Sequence, residues 1–249
     1  MSGHSKWATI KHKKGALDAK RGKLFTKLIK EITVASRLGG GDISGNPRLR
    51  KAITDAKGQS MPNETIQRAM KRGTGELEGA AYEEIVYEGT GPTGTLFLVE
   101  ALTDNRNRTV AEIRKVFEKN NGLLGSSGTA GWAFDRKGII TVARTSATED
   151  QLMDIAVGAG AEDYTAEGDD WEITTPADAL SAVGDALEKA KIPVKESNLE
   201  FIPKTKKPIA GRDAEVALNL VEALDDHDDV QHVFADFDVS DDELARLSK

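Results

Sequence analysis

The sequence predicts an α+β protein in three parts, one helical and two α/β. Three observations lead there. Apolar residues recur at helical spacing through about residue 73, the texture then changes to short strand-like runs alternating with amphipathic helices, and one complete strand-helix series lies between two fragments that are each incomplete.

Residues 1–15, from Met1 through Lys13, Lys14 and Gly15, are small, polar and basic with no period of 2 or 3.6, and read as a flexible arm. From Ala16 to Leu38 the spacing predicts a helix, with Leu24, Phe25, Leu28, Ile29 and Ile32 on one side and Lys20, Lys23, Lys27 and Lys30 on the other. Gly39, Gly40 and Gly41 end it, and Pro47 suits the first turn of a second helix that carries Leu49 and Ile53 on one face. Pro62 and Asn63 start a third, lined by Ile66 and Met70 and closed at Gly73 behind Lys71 and Arg72. The expected helical basic domain spans 16–76.

An acidic, glycine-rich connector leads to a predicted hairpin, strands 82–88 and 95–103 around Gly91-Pro-Thr-Gly94. A helix over about 108–120 carries Val110, Ile113 and Phe117, and 131–134 reads as a third strand. Strand 138–143, helix 148–159, strands 162–166 and 170–174, helix 176–191 and strand 193–202 then give a full β-α-β-β-α-β series, the ferredoxin-like order. Pro203 to Pro208 reads as a linker, and a helix at 212–226 and a strand at 230–237 need a partner. The unfinished β-β-α-β unit supplies it. The expectation is two ferredoxin-like α/β domains, a discontinuous one of 77–135 and 205–240 with the other, 136–204, inserted in it.

Hydrophobic residues make up 39% and charged residues 30%, values of a folded chain. The absence of cysteine excludes disulfides, thiolate zinc sites and a cysteine nucleophile, and fits a reducing compartment, so cytoplasm is expected. The longest strongly apolar run, Leu96 to Val99, is far short of the roughly 20 residues of a membrane span, and the first twenty residues lack an apolar signal core. No membrane role is expected. Net charge is −7, but residues 1–73 hold 17 Lys or Arg against 5 Asp or Glu, net +12, and the rest of the chain holds 17 against 36, net −19. A basic end on an acidic body is the pattern of a polyanion binder; the alternative is a merely solvated helical face.

The arm and first helix are the leading candidate site. Lys6, Lys11, Lys13, Lys14, Lys20, Arg21, Lys23, Lys27 and Lys30 can each neutralise a phosphate, while Trp7 either stacks on a base or packs against the domain. In Thr103-Asp-Asn-Arg-Asn-Arg-Thr109, Arg106, Asn107 and Arg108 sit where a strand passes into a helix N-terminus, a place that favours anions; helix capping by Asn107 or Thr109 is the other reading. Gly89-Thr-Gly91-Pro-Thr-Gly94 matches a dinucleotide fingerprint but leads into a strand, so it reads as a hairpin turn. His227 and His232 lie beside Asp225, Asp226, Asp228 and Asp229, a cluster without the glycine and distal glutamate of a calcium loop, and read as a solvated turn. No carboxylate is paired with a nucleophile, so neither catalytic residues, metal, cofactor nor small-molecule substrate are expected.

Gly3-His-Ser-Lys-Trp7, Asp18-Ala-Lys-Arg-Gly-Lys23, Asn46-Pro-Arg-Leu-Arg50, Leu102-Thr-Asp-Asn-Arg-Asn-Arg-Thr109 and Phe134-Asp-Arg-Lys-Gly138 resemble the YebC family, as do Gly158-Ala-Gly-Ala-Glu-Asp163 and Asp228-Asp-Val-Gln231. Ala235-Asp-Phe-Asp238 is the least typical stretch. The resemblance runs nearly end to end and implies three domains, one helical and two α/β. It implies a role without bond chemistry: members are usually labelled DNA-binding transcriptional regulators, while relatives such as the mitochondrial translational activator of cytochrome c oxidase look like ribosome- or RNA-associated factors. The expected function is a nucleic-acid-binding regulator of gene expression, with DNA from the family label. The alternative partner is RNA or the ribosome, since lysine suits backbone contact over reading of base edges. A third reading, a hydrolase in the acidic body, requires convergent carboxylates with perturbed titration.

Overall fold

The structure, a computed structural model, describes residues 17–247, with side chains from Arg21 onward. In chain order its first elements are helices α1 (Leu17–Gly39), α2 (Pro47–Gly58) and α3 (Asn63–Gly73), then β1 (Glu83–Thr90), β2 (Leu96–Thr103), α4 (Arg106–Lys119) and β3 (Leu123–Leu124). Next come β4 (Phe134–Ala143), α5 (Glu149–Leu152, widening into a π turn over Met153–Val157), β5 (Asp163–Glu167), β6 (Asp170–Pro176), α6 (Leu180–Lys189) and β7 (Val194–Pro203). The last are β8 (Lys207–Pro208), α7 (Gly211–Asp225), β9 (Val230–Ala235), β10 (Phe237–Asp238) and α8 (Asp241–Leu247). The fold is α+β with antiparallel main sheets. The described residues divide into two compact units, one of residues 132–206 and one that combines residues 17–131 with residues 207–247.

In the second of these units, α1, α2 and α3 pack around Ile32, Leu49, Ile53, Ile66 and Met70. Each fully buried aliphatic side chain contributes about 1.5–3 kcal/mol. Asn46 fixes the α1–α2 corner: its Oδ1 accepts from Leu49 N at 3.0 Å, capping α2, and its amide donates to Ala35 O and Gly40 O. Gly73 lets α3 meet α1, since a Cβ there would stand 2.3 Å from Thr33 O.

β1 and β2 form the hairpin in register from Glu83 opposite Thr103 to Thr90 opposite Leu96, around a 3₁₀ turn at Pro92–Gly94 with Thr93 at φ +57°. The G-x-G-x-x-G pattern has a packing cause: a Cβ at Gly89 would lie 2.6 Å from the Phe117 ring. The third strand of this sheet is β3, opposite Gly89 and Thr90, and the predicted strand at 131–134 does not form as such. Gly131–Ala133 is a 3₁₀ turn and Phe134 opens β4. The cause is Glu88, whose carboxylate accepts from the amides of Gly128, Ala130 and Gly131 at 2.9, 2.6 and 2.7 Å and curls the segment onto the hairpin. β9 pairs antiparallel with β2, giving the order β3-β1-β2-β9, and α4 and α7 cover one face through Phe117, Ile113, Leu220 and Leu224. Phe97 and Phe117 meet edge to face at 5.9 Å. The predicted linker Pro203–Pro208 ends in β8, which pairs with β10 because Ile209 is drawn into the same core.

In the other unit, β4, β5, β6 and β7 form a sheet in the order β5-β6-β4-β7, the ferredoxin-like arrangement, with α5 and α6 on one face. Ile140, Val142 and Ile173 meet Leu152, Val183 and Leu187 there, and the Trp171 indole donates to Ala147 O at 3.0 Å.

Candidate nucleic-acid interface

On α1, Lys23, Lys27 and Lys30 recur at i, i+4 and i+7 and share one side of the helix. That side faces the C-terminal end of α7, where helical carbonyls lack intrahelical partners and the helix dipole is negative. Lys23 Nζ donates to Asp226 Oδ2 at 2.6 Å and to its carbonyl at 3.0 Å. Lys27 Nζ donates to Asp225 O at 2.6 Å and stands 3.7 Å from its Oδ1. Lys30 Nζ donates to Asp228 O at 2.9 Å and Asp229 Oδ1 at 2.5 Å. The lysine stripe thus caps a helix of its own chain.

Asp229 is the hub. It is buried at 3% exposure, and its Oδ2 accepts from Arg108 Nη2 at 2.8 Å and Thr109 Oγ1 at 2.6 Å. Burial pushes its carboxyl up, but the bonds from Lys30, Thr109 and Arg108 outweigh that and hold it well below the usual carboxylate range. The expected solvated turn holds at Asp226 and Asp228, which are exposed, and is corrected at Asp229, which is buried against Lys30 because α7 ends against α1. Sequence spacing carries no trace of this contact, since the partners lie about 200 residues apart.

Glu112, His227 and Asp229 bring one ligand atom each to within 4.8 Å of one another, the arrangement from which a cation could be held. Their donors are committed elsewhere. His227 Nδ1 accepts from Asp229 N at 3.1 Å, which leaves the ring proton on Nε2 facing Glu112 Oε2 at 3.0 Å, and Asp229 faces two cationic side chains. An open cleft of about 630 Å³ runs past Lys23, Thr26, Tyr82, Arg108 and Glu112.

The second sequence candidate, 103–109, runs from the end of β2 into the first turn of α4. Asn105, rather than Asn107 or Thr109, is its cap, accepting from Arg108 N at 3.1 Å. Arg108 spans Asp104 and Asp229, while Arg106 and Asn107 are exposed. Arg21 is exposed over the Phe25 ring at 5.5 Å. Lys6, Trp7, Lys11, Lys13 and Lys14 lie outside the described residues, as does the side chain of Lys20.

The structure adds cations that the sequence did not mark as site residues. Arg50 and Lys57 on α2 are exposed at the flank of the face that buries Leu49 and Ile53, and Lys71 and Arg72 on α3 are exposed away from the face that buries Ile66 and Met70. Their helical phase against those apolar residues was the available signal. Arg48 instead bridges Glu31 and Glu84, and Arg37 donates to Tyr82 O.

Fold and site define an α+β protein that joins a cationic helical domain to two antiparallel α/β domains. Comparison with known proteins agrees: residues 5–76 match the TACO1/YebC protein N-terminal domain and residues 82–237 the TACO1/YebC second and third domain. The chain belongs to the TACO1/YebC family. A probable transcriptional regulatory protein of Desulforapulum autotrophicum is 54% identical over 97% of this chain and 98% of its own length. One from Geobacter sulfurreducens is 53% identical over 99% and 100%. The crystal structure of a conserved hypothetical protein, Aq1575 from Aquifex aeolicus, superposes with a TM-score of 0.84 at 45% identity, over 95% of this chain and 98% of that one. Among the described residues no helix is long and apolar enough to cross a membrane.

Proposed function

We propose that the protein is a nucleic-acid-binding regulator of gene expression that grips the phosphate backbone of duplex DNA, in the cytoplasm and without bond chemistry. The observation that carries this is the net +12 of residues 1–73. In the helical domain that excess leaves Arg50, Lys57, Lys71 and Arg72 exposed on α2 and α3. The names borne by the relatives support the regulatory half of the reading. The carboxylates of displaced titration among the described residues support the non-catalytic half: Asp229 holds an ion-pair network, Glu88 holds three backbone amides, Asp236 holds Leu96 N, Glu243 holds Arg246 and Gly211 N, and Asp42 holds Ser44.

Phosphate contact by lysine and arginine is sequence-tolerant and strongly salt-dependent. Neutralising Arg50, Lys57 and Lys71 to glutamine is expected to flatten the log-log salt slope of duplex binding by about 2.7, at about 0.9 per contact. An unchanged slope refutes this surface. A second reading, structured RNA or the ribosome, rests on the lysines and Trp7 of residues 1–15. Co-sedimentation with ribosomes at about 0.15 M salt, where weak surface attraction is largely screened, with excess duplex DNA separates the two. Retention on the ribosome makes the protein a translation factor, and loss to the DNA supports the reading given first.

A further inference from the structure

The three lysine pairs between α1 and the end of α7 are graded in exposure. Lys30 and Asp229 have side chains only 8% and 4% exposed, Lys27 and Asp225 14% and 24%, and Lys23 and Asp226 41% and 62%. The inner pair is braced by Arg108 and Thr109, so opening it strands a buried charge. The outer pair is solvated, and such pairs are worth only about 0–1 kcal/mol. What holds Lys23 is also chemically what it would find on nucleic acid, an anionic oxygen with a second acceptor oxygen beside it, at 2.6 and 3.0 Å. A phosphate can replace Asp226 at small cost and can then compete with the Asp225 carboxylate, which stands 3.7 Å from Lys27, while Asp229 cannot be replaced without unfolding the junction.

We propose that Asp225 and Asp226 act as an internal phosphate mimic that holds Lys23 and Lys27 in reserve, so that a polyanion binds α1 only by displacing them, with Lys30–Asp229 as the fixed hinge of this latch. The inference rests on the nucleic-acid reading for its ligand, and on the described geometry alone for the latch. It gives the acidic turn a regulatory role: it sets a threshold that weak or isolated anions do not cross and a dense run of phosphates does. It also places the displaced carboxylates beside the bound strand, where their repulsion speeds release.

The test uses the full chain with Asp225→Asn and Asp226→Asn together, which keep side-chain volume and the backbone acceptors. Asp228→Asn serves as control, removing the same charge from the same turn while leaving both pairs in place. The double variant is expected to bind duplex DNA up to about tenfold more tightly, since the carboxylates of two pairs no longer compete with phosphate, with a log-log salt slope near that of the wild type because both forms present the same lysines to the bound strand. The control leaves the affinity close to that of the wild type. Equal affinities in the wild type and the double variant, or the same gain in the control, overturn the latch. A readout independent of nucleic acid is the rate at which Lys23 and Lys27 are acetylated by a water-soluble reagent, followed by mass spectrometry. Faster labelling of both in the double variant, with Lys30 unchanged, supports the latch even if the wild type binds no DNA, an outcome that overturns the proposed function alone. Unchanged labelling removes the latch whatever binds.

Discussion

Asp229→Asn is the substitution to which the fold should be most sensitive. The carboxylate is 4% exposed and takes donors from α1 and α4, so the amide leaves the Lys30 ammonium, itself 8% exposed, without its counter-charge. Breaking one side of a buried ion pair costs about 3–5 kcal/mol. In a domain of about 150–250 residues each kcal/mol lowers Tm by about 2–4 °C, so a fall of about 10 °C is expected. Circular dichroism at 222 nm through thermal and urea unfolding measures it. The pH dependence gives an independent check. Because the native carboxyl titrates well below its unfolded value, its stabilisation is fully present above about pH 4 and is lost as pH falls through the native value. The gap between wild type and Asp229→Asn should therefore narrow in acid. Pairing the substitution with Lys30→Met should recover part of the loss, since the stranded charge is gone. A variant within about 1 kcal/mol of wild type at pH 7, a cost below that of breaking a buried pair, or a gap that does not change from pH 7 to 3, refutes the assignment of Asp229 as the hub.

Three further outcomes are expected. Asp236 is buried, and burial pushes its carboxyl up against the opposing bond from Leu96 N and the charge of Lys207. Asp236→Asn should therefore stabilise the protein at pH 7, read as a higher urea midpoint, with the gain vanishing in acid as the wild-type carboxyl takes up its proton. Gly73→Ala drives a methyl to 2.3 Å from Thr33 O, so separation of α1 from α3 should destabilise the helical domain by about 1–3 kcal/mol, measured by urea unfolding. Glu88→Gln removes the charge that gathers the amides of Gly128, Ala130 and Gly131, and should speed hydrogen exchange at those three amides while leaving β2 protected.

The helices of the basic domain and the β-α-β-β-α-β series were legible because each depends on local spacing. Leu49 and Ile53, or Ile140 and Val142, bury one face at 3.6 or 2 residues per repeat whatever they meet. The strand at 131–134 was misplaced because its geometry is set by a side chain about 40 residues away, Glu88, and not by its own apolar pattern. The charge split likewise stands in the sequence alone, and so does the choice of lysine for α1. What those lysines touch does not. A lysine stripe reads the same in sequence whether it faces phosphate, water or the end of another helix, because charge is a property of the residue and its partner a property of the packing. Only the tertiary structure, by ending α7 against α1 and burying Asp229 between Lys30 and Arg108, decided that Lys23, Lys27 and Lys30 are held within the chain while Arg50, Lys57, Lys71 and Arg72 of α2 and α3 stay exposed.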